Sequence, residues 1–309
     1  RCITTVELIK FLFLIYLAVT MNMKKILSFA VAAFCATSMI AQPQLNKDNV
    51  EDVLKAMTLE EKATLLVGGG WGSMAAGSLT ASQTVLVSGA AGTTRGIERL
   101  GIPQTVLADG PAGLRINPTR EGDDQTYYCT HFPIGTLLAS TWNQELVESV
   151  GQSIGNEVLE YGVDVLLAPG LNLHRNPLCG RNFEYWSEDP YLAGAMAAAV
   201  IRGVQQEEGF YVTVKHFACN NMEDNRNKVS SNLSERALRE IYLRGFERAV
   251  RKGHAKAIMT SYNRINSVYA PNSYDLCTKV LRNEWGFDGV VMTDWFSTNK
   301  GLGHNALAM

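Results

Sequence analysis

Titratable and aromatic side chains follow short apolar segments at several places along the sequence. The segments, each with the residues that come after it, are Thr105–Ala108 with Asp109, Tyr211–Val214 with Lys215 and His216, Lys256–Thr260 with Tyr262, and Gly289–Thr293 with Asp294 and Trp295. If the segments are strands of a parallel β/α fold, the residues after them meet at one face. The pattern therefore predicts one shared site.

The residue types at these positions suit the binding and chemistry of sugars. A sugar ring presents many hydroxyl groups and an apolar face, so its site needs charged hydrogen-bonding groups and an aromatic surface. The charged candidates are Asp109, Arg115, Arg181, Lys215, His216 and Asp294, and the aromatic candidates are Tyr262 and Trp295. A carboxylate among Arg, Lys and His is expected to have a lowered pKa and to stay ionised as a nucleophile.

Each candidate also has an ordinary structural interpretation, and the sequence leaves both open. The alternatives are a turn for Asp109, an ion pair with Glu184, Glu188 or Asp189 for Arg181, a strand-end salt bridge for Lys215, a core position for His216 and Trp295, and a helix cap for Asp294. We assign the acidic group after Arg181 mainly to structure, because such clusters often cap and brace loops.

Helices are expected to alternate with the strands. The predicted elements are a helix pair over Val50–Leu66 with Thr58 as a cap, long loops over 68–96, helices over Asn143–Tyr161 and Tyr191–Gln206, a strand at Val163–Ala168, a helix from the N-cap Ser234 to Gly253, and a helix capped by Asp275 that runs to Trp285. Strands that alternate with helices favour parallel β/α units. Polar residues at the strand ends favour a barrel among these folds.

The composition is that of an ordinary folded protein. The 309 residues carry 28 Lys+Arg and 30 Asp+Glu, which gives a formal net charge of -2, and 46% are hydrophobic. This balance excludes a polybasic nucleic-acid-binding protein, so we expect no nucleic-acid partner. No glycine-rich nucleotide or phosphate motif follows a strand, and we therefore expect no cofactor.

Four cysteines lie beyond the N-terminal region, at Cys129, Cys179, Cys219 and Cys277. They have no Cys-x-x-Cys spacing, so the sequence does not support a zinc site and we expect no metal. Disulfides and free thiols both remain open for these residues.

The N-terminal residues are typical of a targeting segment. An apolar run at Phe11–Val19 precedes Lys24 and Lys25, and a second apolar run covers Ile26–Phe34. Lysines before a short apolar core indicate a secretory signal peptide. We expect residues 1–20 to be upstream sequence, 21–41 to be a signal peptide, and 42–309 to be an exported, periplasmic or extracellular domain without stable membrane insertion. A single uncleaved anchor is the alternative.

Long motifs contain most of the candidate residues. They are Asp109-Gly-Pro-Ala-Gly-Leu-Arg115, Leu167-Ala-Pro-Gly-Leu-Asn172, Asn176-Pro-Leu-Cys-Gly-Arg-Asn-Phe-Glu-Tyr185, Ser187-Glu-Asp-Pro190, Lys215-His-Phe-Ala-Cys-Asn-Asn221, Ser234-Glu-Arg-Ala-Leu-Arg-Glu-Ile-Tyr242, Trp285-Gly-Phe-Asp-Gly289 and Val291-Met-Thr-Asp-Trp295. Because these motifs occur in this order, the chain from about Lys47 to Phe296 resembles the N-terminal half of glycoside hydrolase family 3, the β-glucosidase and β-xylosidase family.

The resemblance implies a (β/α)8 TIM-type barrel, incomplete at the C-terminus, and retaining, exo-acting hydrolysis of O-glycosyl bonds. Asp294 matches the nucleophile of the family. The residues that match the subsite for the non-reducing sugar are Asp109, Arg115, Arg181, Lys215, His216, Met259, Tyr262 and Trp295. The implied partner is a β-linked oligosaccharide or glycoside. The stretch after His216 resembles the multidomain glucosidases rather than the single-domain hexosaminidases of the family.

The general acid/base is the missing part of this assignment. The resemblance places it as a Glu on a second domain after the barrel, whereas 15 residues follow Asp294 in this chain. Glu223 and Asp224 are the candidates within the chain, and we expect Glu223 to be structural. A truncated β-glucosidase-like barrel with little activity of its own is therefore expected. The alternatives are a non-catalytic sugar-binding fragment and β-xylosidase specificity in the longer protein.

Overall fold

The computed structural model describes residues 42–67 and 86–298. The predicted upstream segment, the signal peptide and most of the predicted 68–96 loop lie outside the described residues. Within the described ranges, no helix combines the length and the apolar character needed to cross a membrane. The described residues fall into two compact units, the first formed by 42–61 with Ile97–Pro103 and the second by 62–67, 86–96 and 104–298.

The first unit has a small apolar core beside helix α1 (Val50–Ala56) and a 3-10 turn at Glu98–Leu100. The core residues are Val53, Met57, Ile97 and Leu100. Helix α2 (Leu59–Leu66) begins at a capping box, in which Glu61 N–H donates to Thr58 Oγ1 at 3.2 Å and Thr58 N–H donates to Glu61 Oε2 at 2.9 Å. The predicted helix pair and the Thr58 cap are confirmed.

A six-stranded sheet organises the second unit. The strands of this unit are β1 (Gly92–Thr93), β2 (Val106–Asp109), β3 (Val165–Leu167), β4 (Tyr211–Phe217), β5 (Ser230–Ser231), β6 (Ala257–Thr260), β7 (Arg264–Ile265), β8 (Val268–Tyr269) and β9 (Val290–Thr293). The large sheet has the order β1-β2-β3-β4-β6-β9. Strands β2 to β9 of this sheet run parallel, and β1 is antiparallel to β2. The carboxyl ends of five parallel strands therefore meet at one edge.

Three features of the strands differ from the sequence predictions. Strand β4 continues to Phe217, so Lys215 and His216 lie within the strand rather than after it. Strand β1 lies in a region predicted as loop, where Gly92 pairs with Leu107. A second sheet, with the order β5-β7-β8, is also unpredicted, because strands of two residues have no readable periodicity.

Helices cover the sheet. They are α3 (Gly135–Ala139), α4 (Gln144–Glu160), α5 (Pro190–Val204), α6 (Glu235–Ala237) and α7 (Arg244–Arg251), with π-helical segments at Leu238–Tyr242 and Asp275–Glu284 and 3-10 turns at Asn182–Glu184 and Ala270–Asn272. Helices α4 and α5 approach closely through glycines. A Cβ on Gly203 would lie 2.1 Å from the backbone oxygen of Glu148, and one on Gly151 would lie 2.5 Å from that of Val200. Any larger side chain at Gly203 would force these helices apart.

The helix caps agree with the sequence at one position and differ at another. The side chain of Ser234 accepts a hydrogen bond of 3.2 Å from the backbone N–H three residues later, as predicted. Asp275 does not cap its helix. Ser273 Oγ accepts the cap hydrogen bond from Leu276 N–H at 3.2 Å instead, and Asp275 pairs with Lys279 at 2.6 Å.

The four cysteines of the described residues are free thiols. Burial raises the pKa of Cys219 to about 12 and that of Cys277 to about 11. Thiols with such values are poor nucleophiles at neutral pH, so these residues behave as small core side chains.

Candidate active site

The carboxyl edge of the parallel sheet brings the predicted site residues together. Asp109 is the last residue of β2, and Lys215 and His216 lie near the end of β4. Asp294 directly follows β9, where its N–H donates to the carbonyl oxygen of Thr260, the last residue of β6, at 3.2 Å. The strands therefore place the backbone of all these positions at one edge of the sheet.

A chain of alternating charges runs through the site. Its members, in order, are Arg181, Glu184, Lys215, Asp109 and Arg115. Lys215 Nζ lies 3.1 Å from Asp109 Oδ1 and 3.9 Å from Glu184 Oε2. Arg115 Nη2 donates to Asp109 Oδ2 at 2.9 Å, and Arg181 Nε donates to Glu184 Oε1. The predicted ion-pair partner of Arg181 is thus Glu184, and Asp189 instead caps α5.

Glu184 and Lys215 are the most buried members of this series of charges, and exposure increases from them to Arg115. The side chains of Glu184 and Lys215 are 2% and 4% exposed, Asp109 is 30% exposed and Arg115 is 79% exposed. A carboxylate and an ammonium group that are this buried are stable only when they are paired. The inner pair is therefore a fixed part of the site, while Arg115 lies in contact with solvent.

Asp294 is a buried carboxylate with few protein partners. Its Oδ1 accepts a hydrogen bond of 2.7 Å from Trp295 N–H, and its Oδ2 lies 3.8 Å from His216 Nε2. Burial raises the pKa of Asp294 above its ordinary value. The Trp295 N–H and Arg181 act in the opposite direction, as do Tyr262 and Lys215, but they only partly offset burial. The predicted lowering of this pKa is wrong, because removal of the carboxylate from water outweighs the nearby cations.

His216 is neutral in this environment. Burial lowers its pKa well below the ordinary value, and the charges of Arg181, Lys215 and Arg226 lower it further. The 3.8 Å contact between His216 and Asp294 is therefore not an ion pair. A neutral imidazole can donate or accept one hydrogen bond from each ring nitrogen, so its Nε2 can serve a sugar hydroxyl.

Two residues of the sequence motifs hold His216 in place. Asn172 donates through Nδ2 to the His216 carbonyl at 2.9 Å and accepts from the His216 N–H at 3.0 Å. The Tyr185 hydroxyl lies 3.4 Å from His216 Nδ1. Sequence reasoning missed both roles. Their positions inside Leu167–Asn172 and Asn176–Tyr185 were the available signal.

The aromatic candidates lie beside the carboxylate. Tyr262 donates through its hydroxyl to the Trp295 carbonyl at 2.6 Å, and Trp295 Nε1 donates to the Ala91 carbonyl at 2.9 Å. Met259 is buried and packs in an apolar cluster that includes Trp295. The guanidinium of Arg226 lies 4.4 Å from the centre of the Tyr262 ring, a contact that the sequence analysis missed. These contacts fix the Trp295 ring beside Asp294.

Of the two candidate acids within the chain, Asp224 is exposed and Glu223 is already engaged. Glu223 Oε2 accepts from Arg226 at 2.6 Å, and Glu223 Oε1 accepts from Asn220 Nδ2 at 3.0 Å. This arrangement is the bracing contact expected of a structural carboxylate.

The alternative role of Asp294 as a helix cap is not found among the described residues. Residues 295–298, which follow it, form a turn.

Comparisons with known proteins identify the fold around this site. The family model for the glycosyl hydrolase family 3 N-terminal domain matches residues 47–306. Similar proteins include a β-glucosidase of Rhizobium radiobacter, 44% identical over 81% of this chain and 28% of the relative, and an exo-α-(1→6)-L-arabinopyranosidase of Bifidobacterium longum, 45% identical over 82% and 31%. A solved structure of β-glucosidase 3B from Thermotoga neapolitana in complex with α-D-glucose is 55% identical over 81% of this chain and 34% of that chain, with a TM-score of 0.76.

The predicted barrel fold is confirmed by these neighbours, and the described residues form an open, curved part of it. The chain spans about a third or less of the length of these relatives. The match to the family model and the identity to its members show that the chain belongs to glycosyl hydrolase family 3.

Proposed function

We propose that the protein to which this chain contributes hydrolyses β-glucosides from their non-reducing end with retention of configuration, and that Asp294 is the nucleophile. The supporting observation is the buried Asp294 carboxylate at the same sheet edge as Asp109, Lys215 and His216. The solved relative from Thermotoga neapolitana is in complex with α-D-glucose, and it is 55% identical to this chain over the aligned region.

In this proposal, one oxygen of the ionised Asp294 attacks the anomeric carbon while an acid protonates the departing oxygen. The resulting glycosyl ester is then cleaved by water, which restores the carboxylate and retains the configuration. Asp109, Lys215 and Arg181 bind ring hydroxyls, and these bonds strengthen as the ring approaches the oxocarbenium-like transition state. The raised pKa of Asp294 moves the acid limb of the reaction to higher pH than an ordinary Asp would give.

The general acid is proposed to be a Glu supplied from beyond this chain. Glu223 has both oxygens occupied by Arg226 and Asn220, which supports a structural role for it. The chain alone is therefore expected to turn over nitrophenyl β-glucoside very slowly. The alternative, a non-catalytic sugar-binding fragment, is correct if two results occur together. The chain binds glucose, and it shows no turnover either alone or when joined to the sequence that follows Met309 in its reading frame.

The decisive experiment is covalent trapping in the longer polypeptide. Treatment with a 2-fluoro-β-glucoside, followed by digestion and mass spectrometry, is expected to place the label on the peptide that contains Asp294. The Asp294→Asn variant is the matched control and should take up no label. A label on another carboxylate would overturn the nucleophile assignment.

A second candidate specificity is supported by the comparisons. Two Bifidobacterium relatives, each 45% identical over 82% of this chain, are named exo-α-(1→6)-L-arabinopyranosidases. The hydroxyl-binding groups do not separate glucose from pentopyranoses such as xylose or L-arabinose. The ratio of kcat/KM for nitrophenyl β-glucoside, β-xyloside and α-L-arabinopyranoside decides among these substrates.

Export is proposed on the sequence pattern of residues 21–41. N-terminal sequencing of the protein recovered from the cell envelope or medium should find a start close to Gln42. Recovery in the cytoplasm with the N-terminal segment intact would refute this proposal.

A further inference from the structure

We propose that Glu184 is a positioning residue of this site, which holds Arg181 and Lys215 in the orientation that binds the sugar and balances their charge in front of Asp294. This inference rests on the proposed function. Glu184 acts through its two cationic neighbours and is assigned no contact with the sugar. The sequence pattern indicates mainly a structural role for Glu184, so the proposal extends the site by one residue.

The geometry gives Glu184 two partners on different elements. One carboxylate oxygen, Oε1, accepts a hydrogen bond from Arg181 Nε, and the other, Oε2, lies 3.9 Å from Lys215 Nζ. Lys215 in turn lies 3.1 Å from Asp109 Oδ1. A single carboxylate thus connects the loop before α5 with strand β4 and, through Lys215, with the end of β2.

The backbone that carries Glu184 is itself held rigidly. A Cβ on Gly135 would lie 2.9 Å from the carbonyl oxygen of Tyr185, and one on Gly170 would lie 3.1 Å from that of Glu184. Thr136 Oγ1 also donates to the Tyr185 carbonyl at 3.2 Å. Because glycines at 135 and 170 allow this close approach, the carboxylate is fixed before any ligand enters.

Burial makes this carboxylate unusual among the acids of the site. Its side chain is 2% exposed, compared with 13% for Asp294 and 30% for Asp109. A carboxylate with so little solvent interacts strongly with its two cationic partners, and it cannot replace them with water if they move. The arrangement therefore favours one orientation of the Arg181 and Lys215 heads.

Glu184 also affects the charge that Asp294 experiences. The groups that face Asp294 are Arg181, Lys215, the neutral His216, the Tyr262 hydroxyl and the Trp295 N–H. Arg181 and Lys215 lower the pKa of Asp294. Removing the negative charge of Glu184 leaves these cations less compensated, so the pKa of Asp294 should decrease.

The test compares Glu184→Gln, Glu184→Asp and Glu148→Gln in the longer polypeptide. Glu148 is the matched control, because it pairs with Arg202 on the helices that cover the sheet. Glu184→Gln is expected to lower kcat/KM by about a hundredfold, as misplacement by an ångström does. It should also move the acid limb of the kcat/KM profile to lower pH. Glu184→Asp keeps the charge, and should restore the pH of the acid limb but only part of the rate.

Three results would overturn the proposal. The first is a Glu184→Gln acid limb at the wild-type pH, with a rate loss no greater than that of Glu148→Gln. The second is a Glu184→Asp variant that behaves like Glu184→Gln in both measurements. The third is failure of both Glu184 variants to fold while Glu148→Gln folds, which would make the residue purely structural.

Asp294→Asn, measured in parallel, separates this inference from the proposed function. If Asp294→Asn keeps wild-type activity, the nucleophile assignment fails whatever the Glu184 variants do. If it abolishes activity while Glu184→Gln matches the Glu148→Gln control, only the positioning role fails.

Discussion

Ion pairs occur in two different regions of the second unit, at the carboxyl edge of the sheet and on the outer helical segments. At the sheet edge, Glu184 and Lys215 are 2% and 4% exposed. On the helical segment after Ser234, the Arg236 and Glu240 side chains lie 3.1 Å apart but are 83% and 62% exposed. Each pair joins a glutamate to a cationic side chain, and the two pairs lie in opposite environments.

The difference in burial decides what each pair does. Exposed pairs are screened by water and salt and contribute at most about 1 kcal/mol to stability. Buried charges lose hydration on folding, so the pair contributes little net stability, but loss of one partner leaves the other charge buried and alone. Buried pairs are therefore suited to fixing geometry, and this is the property that the proposed sugar site requires.

The largest expected effect is that of Lys215→Met. The substitution removes one of the two cationic partners of Glu184. We expect the free energy of unfolding to fall by about 3 kcal/mol, the lower end of the range for a broken buried pair, because Arg181 remains. Urea unfolding followed by circular dichroism measures this change. The double variant Lys215→Met with Glu184→Gln removes both charges and should recover part of the loss.

A double variant as unstable as Lys215→Met would contradict this account, since it would show that packing of the Lys215 side chain, rather than the weaker compensation of the Glu184 charge, is responsible. The comparison between the two regions would then lose its electrostatic basis.

The next largest expected effect on the free energy of unfolding is that of Asn172→Ala. The change removes the two hydrogen bonds of 2.9 and 3.0 Å to the buried backbone of His216. Two buried groups without partners should reduce the free energy of unfolding by about 2–3 kcal/mol. Asn143→Ala is the matched control, because it removes one exposed cap hydrogen bond and should reduce it by about 1 kcal/mol. Equal losses in the same urea assay would refute the assigned role of Asn172.

Asp294→Asn is expected to change the free energy of unfolding by a smaller amount and to increase it. The pKa of Asp294 is raised in the folded protein, so the folded state retains its proton to higher pH than the unfolded state does. Ionisation of Asp294 therefore destabilises the fold above its folded pKa and has no effect below its unfolded pKa. Asp294→Asn should raise the melting temperature at neutral pH, by about 2–4 °C for each 1 kcal/mol gained in the free energy of unfolding.

The pH dependence is the control for this prediction. At pH values below the unfolded pKa of an ordinary Asp, both proteins should have the same melting temperature, apart from the small difference between a carboxylic acid and an amide. A gain that persists unchanged at acidic pH would assign the effect to packing rather than to the buried charge.

The sequence predicted the positions of the site better than its electrostatics. Asp109 and Asp294 could be placed because an apolar strand precedes each residue and parallel strands share one edge. The direction in which the pKa of Asp294 is shifted could not be predicted, because this direction depends on how deeply the carboxylate is buried. Residue spacing alone carries no measure of that depth.

The fold was predictable where its elements are long. The α4 and α5 helices have several turns of apolar spacing, and both were predicted within two residues. The Ser273 cap was missed because Asp275 is also a good capping residue, and the choice between them depends on the backbone. Glu184 lay inside a recognised motif, but only its distances to Arg181 and Lys215 indicate that it links two parts of the site.

The smallest expected effect is that of Arg236→Ala on the exposed helical segment. Its guanidinium pairs with Glu240 four residues later, in solvent. The free energy of unfolding should change by less than about 0.5 kcal/mol, and even this difference should decrease at 1 M salt because exposed charges are screened there. The Lys215→Met loss should persist at the same salt concentration, because ions do not enter the buried site. A salt-independent loss for Arg236→Ala, measured by urea unfolding at both ionic strengths, would show that this surface pair behaves like the buried one.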